Sequence, residues 1–189
     1  MPRACAAPVA LGTVERNTVD VSKAVSDIAA AMPDAVVQIS AYKSCAAFIR
    51  AARKAGYGGT FFNVSFVGTQ ALADELGKEG RGIVVSQVMP FPFSTTTPIS
   101  REYLDAVKKA GGDARPNYSS MEGYLAAKVI AEGIKRAGKN LTRESLVTGL
   151  ESIQVTSFGG FNVNFSAKDH VASKFVDLSM LTEDGKVRT

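Results

Sequence analysis

Between residues 9 and 89, short apolar runs take turns with stretches whose apolar residues recur at helical spacing, and no other feature limits the possible folds as strongly. Residues 9–14 form the first run. VDVSKAVSDIAAAM then places Val21, Ala24, Val25, Ile28, Ala29 and Met32 on one helical face, with Asp20 as the predicted N-cap and Pro33-Asp34 as the stop. Residues 35–39 are the next strand. Cys45, Phe48, Ile49 and Ala52 line the helix after it, which the glycines of KAGYGG close. TFFNVSF, TQALADELG and GIVVSQVM repeat the strand, helix, strand order, with Thr69 opening the helix and Gly77 ending it. Strands that are apolar almost throughout and joined by helices belong to a parallel sheet covered on both faces, so the fold class is α/β.

The rhythm breaks at PFPFSTTTPIS, whose prolines and hydroxyl residues read as a crossover loop. Three helices are expected next. The first starts at Ser100, the second carries a capping box Ser119-x-x-Glu122 and stops at Gly138, and the third has Thr142 as N-cap with Leu141 and Leu146 as a staple. Two strands, residues 161–165 and 174–181, are expected to form an antiparallel hairpin that extends the sheet. The helical run has broad apolar faces that call for a partner surface.

Composition removes several function classes. The chain has 189 residues, 46% hydrophobic and 21% charged, which is globular composition. The net charge of +4 is spread among alternating signs, so there is no concentrated field for phosphate, and no nucleic-acid partner is expected. No run is long enough to cross a membrane as a helix. Cys5 and Cys45 make neither a metal motif nor a disulfide framework, and Cys45 falls on an apolar helix face. His170 is the sole histidine and lies in the polar turn SAKDHVASK without a nucleophile motif, so neither a catalytic triad nor a metal centre is expected. GYGG follows a helix, whereas a dinucleotide loop precedes one, and no cofactor is implied. Asp74, Glu75 and Glu79 read as a solvated face. The sequons at Asn63 and Asn140 matter only in a eukaryotic secretory setting. MPRACAAPVALG imitates a signal peptide only faintly, and no functional export signal is read there.

In open α/β sheets, ligands bind beyond the carboxyl ends of the strands. The candidates are therefore Ser40, Ala41 and Tyr42 after the second strand, Ser65 and Phe66 after the third, and Gln87 to Met89 after the fourth. Aromatic rings with hydroxyl groups suit a small polar solute with an apolar body.

The segment VERNTVDVSKAVSDIAAAMPDAVVQISAYKSCAAFIRAARKAGYGGTFFNVSFVGTQALADELG resembles the second lobe of type I periplasmic substrate-binding proteins, of the leucine/isoleucine/valine-binding group that serves ABC transporters. SSMEGYLAAKVIAEGIKRAGKNLTRESLVTGLESI and FGGFNVNFSAKDH continue the resemblance. It implies a periplasmic solute receptor rather than an enzyme, taking an amino acid or an aromatic or other organic acid between two lobes and delivering it to a membrane ABC permease. It further implies a C-terminal fragment that lacks the first lobe and binds weakly. Residues 8–90 and 158–185 would form the second-lobe domain, and residues 91–157 the crossover and the helices that pack on the first lobe. Ala41 and Tyr42 match a ligand-contacting loop, and Ser65 matches a position where amino-acid-binding members place a carboxylate for the ligand's ammonium. A serine carries no such charge. Two other readings of the residues are a stand-alone α/β enzyme using the strand-end residues, and a homo-oligomer formed through the helical run.

Overall fold

The computed structural model describes residues 7–189, so Cys5 and the start of MPRACAAPVALG lie outside the described residues. The elements are α1 (Ser22–Ala30), β1 (Ala35–Gln38), α2 (Tyr42–Lys54), β2 (Thr60–Val64), α3 (Thr69–Leu76), β3 (Val84–Gln87), α4 (Pro98–Ala110), α5 (Tyr118–Ala137), α6 (Arg143–Glu151), β4 (Thr156–Phe158), β5 (Phe161–Val163), β6 (Asp177–Leu181) and β7 (Val187–Arg188). They fall into two compact units, residues 7–86 with Leu178–Thr189, and Gln87–Asp177.

The first unit is built on a five-stranded sheet ordered β1-β2-β3-β6-β7. β1, β2 and β3 run parallel, with Gln38 opposite Asn63 and Asn63 opposite Val85. Period-two burial puts Val36 and Phe61 in one row of the inner face. α2 turns Cys45, Phe48, Ile49 and Ala52 inward, and Phe48 meets Phe61 edge to face at 6.4 Å between ring centroids. Arg50 reaches Glu75 at 3.1 Å and Glu79 at 2.8 Å, so this acidic pair anchors α2 to the next helical segment in addition to meeting solvent.

The second unit has its own core, made of Ile99 and Tyr103 of α4, Met121 and Leu125 of α5, Ile153, and Phe161 and Val163 of β5. α5 and α6 cross at two glycines. A Cβ on Gly149 would lie 2.4 Å from the Gly133 carbonyl oxygen, so only glycine permits this approach.

The parallel α/β architecture matches the sequence expectation, while several elements differ. Residues 9–14 are not a strand, because among the described residues no neighbouring strand lies against them to complete a ladder. β2 stops at Val64, and Ser65 to Val67 turn as a 3-10 helix. α1 has Val21 at its N-cap, with Asp20 one residue earlier accepting from the Ser22 N–H at 3.1 Å. α4 begins two residues before Ser100, where Pro98 occupies the first turn and Thr97 accepts from the Ser100 N–H. α5 is capped by Asn117, not Ser119, its side chain accepting from the Ser120 N–H at 2.9 Å. Thr142 does cap α6, in a box closed by Ser145. The C-terminal hairpin exists but consists of β6 and β7. Residues 161–163 pair instead with β4 across the Gly159-Gly160 turn, because the tight turn lies before them, whereas the polar stretch after them is too long for one.

Candidate functional site

The carboxyl ends of β1, β2 and β3 are positioned by the sheet register. Gln38, Asn63 and Val85 share a row, so Ser40, Ser65 and Gln87, each two residues further along, follow in the same order. Ser40 lies in the bend between β1 and α2, Ala41 is the N-cap of α2 in extended conformation, and Tyr42 is the first residue of that helix. Ser65 and Phe66 belong to the turn that leads through Gly68 into α3. Phe66 is 76% exposed and Tyr42 half-buried, with the Lys43 ammonium 5.9 Å from the Tyr42 ring centroid. The edge of the first unit thus presents an aromatic ring at the end of each of its first two strands. Gln87 differs from the other candidates: it is wholly buried and ends β3 where the second unit begins.

Neither α2 nor α3 has a side-chain cap, and neither carries an acidic residue in its first turn. The first turns of these helices thus supply no carboxylate to their own positive dipole ends. Such an edge favours an anionic group on a ligand, a carboxylate for instance.

Behind the edge lie two buried amides. Gln38 and Asn63 are opposite each other; the Gln38 amide nitrogen donates to the Cys45 carbonyl at 3.5 Å, while Gln38 Oε1 and both polar atoms of the Asn63 side chain have no hydrogen-bond partner among the described residues. Each such group is destabilising by about 1–3 kcal/mol unless satisfied. The strand-end criterion passes over these residues, since they sit inside the strands. A polar amide at an inward position of AVVQ and TFFNV was the signal available. Burial also makes Asn63 inaccessible as a sequon.

Cys45 is buried, its thiol donating to the Ser40 carbonyl at 3.5 Å, and burial pushes its pKa up to about 11. His170 pairs with Glu151 at 2.9 Å on the surface of the second unit. No group of residues able to hold a metal ion occurs among the described residues.

Comparison with known proteins agrees with this architecture. A family model described as periplasmic binding protein matches residues 7–186. The chain belongs to the periplasmic binding protein family. Among solved members, a possible leucine/isoleucine/valine-binding protein from Rhodopirellula baltica SH 1 is 30% identical, with a TM-score of 0.89 over 94% of this chain and 48% of its own. A substrate-binding periplasmic protein from Ralstonia solanacearum is 31% identical, with a TM-score of 0.82 over 91% of this chain and 50% of its own. A curated relative, Leu/Ile/Val-binding protein homolog 7 of Brucella suis, is 27% identical over 92% of this chain and 45% of its own length. This periplasmic binding protein chain therefore spans about half the length of the relatives it matches. The family is one of solute-binding proteins, not of enzymes.

Proposed function

We propose that this chain supplies one wall of a solute receptor for an ABC importer, binding a small organic solute at the carboxyl edge of its parallel sheet. The observation that carries the reading is the family match over residues 7–186, together with relatives named as leucine/isoleucine/valine-binding proteins or possible ones. Ser40, Ala41, Tyr42, Ser65 and Phe66 are the contact residues proposed. The uncapped start of α2 beside Tyr42 suits a ligand carboxylate, and the exposed Phe66 suits an apolar body.

Ser65 cannot neutralise an ammonium, so branched-chain amino acids and aromatic or other organic acids are both candidate ligands, the latter needing no such charge. The receptor works with a membrane permease in the periplasm, and this chain alone binds weakly because it buries one face of the solute. Calorimetry of the 189-residue chain against leucine, isoleucine, valine and a set of aromatic acids tests this. Weak heats shared by the carboxylates, lost in Tyr42→Ala, are expected. Micromolar binding by the chain alone would contradict the single-wall reading, and turnover of any of these compounds would favour an enzyme.

A further inference from the structure

Asn63, 2% exposed, and Gln38, 9% exposed, stand side by side in the first unit with polar atoms that meet no partner among the described residues. Burial along both strands follows period two, so Gln38 shares its face with Val36, and Asn63 shares it with Phe61. α2 covers that face, through the edge-to-face contact of Phe48 with Phe61 and the bond from the Gln38 amide nitrogen to the Cys45 carbonyl. Neighbouring strands are about 4.8 Å apart, which brings the two amides within reach of one small molecule.

The neighbours set by register and packing are apolar or already engaged. On its other side Asn63 has the buried Val85 of β3. The Cys45 thiol donates to the Ser40 carbonyl at 3.5 Å. Because both polar atoms of the Asn63 side chain are unpartnered among the described residues, exchanging its oxygen and nitrogen leaves one donor group and one acceptor unmet all the same. Turning Asn63 directly onto Gln38 Oε1 would satisfy only its nitrogen, and Asn63 Oδ1 would still need a donor. The partner must therefore both donate and accept. It must also be small and neutral, since an ion among these apolar side chains would be buried without a counter-charge.

We propose that this is the binding site of one structural water molecule, which accepts from Asn63 Nδ2 and donates to Gln38 Oε1 and Asn63 Oδ1. Three bonds are about the usual number for a buried water. The water ties β1 to β2 through their side chains, two residues behind Ser40 and Ser65, and so fixes the spacing of the two strand ends that carry the candidate contact residues.

The site is the same whether or not Ser40 and Ser65 touch a solute, so its test uses none. In the 189-residue chain labelled with nitrogen-15, the Asn63 side-chain NH2 is expected to receive magnetisation from water with the sign of a long-lived bound molecule. Oxygen-17 relaxation dispersion counts such waters directly. Asn63→Leu, whose side chain fills the room of the amide and its water, is expected to lower the count by one per chain, whereas Asn140→Leu, at an exposed position, is expected to leave it unchanged. Absence of transfer to the Asn63 NH2 overturns the proposal, and that measurement is made on the parent chain, so it decides the matter even if Asn63→Leu fails to fold. An unchanged count in folded Asn63→Leu overturns it as well, and so does a crystal structure in which Asn63 and Gln38 bond directly with no water between them.

Discussion

α2 and α3 in the first unit begin without a side-chain cap, whereas α4, α5 and α6 in the second are capped by Thr97, Asn117 and Thr142. One buried polar side chain from each unit shows a similar difference. The Tyr103 hydroxyl of the second unit accepts from the Asn117 N–H at 3.0 Å and pairs with Ser120, while the Asn63 side-chain amide of the first has no partner among the described residues. Thr97, Tyr103, Asn117 and Thr142 thus fix the helices of the second unit. The first leaves polar atoms uncommitted close to its carboxyl edge, the arrangement expected where they are to meet something other than the protein.

Substitutions can break this contrast, and the largest effect is expected at the helix crossing. Gly149→Ala forces α5 and α6 apart and is expected to lower stability by about 3 kcal/mol, read from urea melts. Tyr103→Phe leaves the Asn117 N–H and Ser120 without their partner and is expected to lower it by about 2 kcal/mol. Asn117→Ala and Thr142→Ala each remove a cap, for a loss of about 1 kcal/mol. In the first unit the sign reverses: Asn63→Leu replaces unpaired polar atoms by a similar apolar volume and is expected to gain about 1 kcal/mol. A loss there comparable to that of Tyr103→Phe would erase the contrast.

The smallest expected effect is a pH dependence in the second unit. Hydrogen bonds from Lys128 and then Tyr124 hold the Glu102 carboxyl below its ordinary value, so its contribution is complete above about pH 4.3 and is lost as pH falls through the lower folded value. With the carboxylate half in solvent, the amount is under about 1 kcal/mol, and Glu102→Gln is expected to abolish it in melts between pH 3 and 6.

The parallel core of the fold was legible because β1, β2 and β3 are short apolar runs and the helices between them have one apolar stripe. Helix starts were less so: Thr97 and Ser100 could each open α4 and Asn117 and Ser119 could each open α5, and the choice within each pair depends on Pro98 and on what Tyr103 can reach. The pairing of residues 161–163 with β4 depends on a Gly-Gly turn lying before them. Periodicity in the strands gives no hint of which neighbour they will take. At the candidate site, order along the chain was enough to find Ser40, Tyr42, Ser65 and Phe66 at strand ends. Gln38 and Asn63 remained hidden, since their burial without partners is a three-dimensional property.

The buried thiol of Cys45 bears on which conditions this fold tolerates. Burial pushes its pKa up to about 11, which disfavours the reactive thiolate at neutral pH, and the side chain is almost wholly closed to an attacking disulfide. The periplasm favours disulfides and drives exposed thiols into unwanted links. Burial shields Cys45 from that chemistry, so this helix face tolerates a cysteine under oxidising conditions without a second one to pair with it.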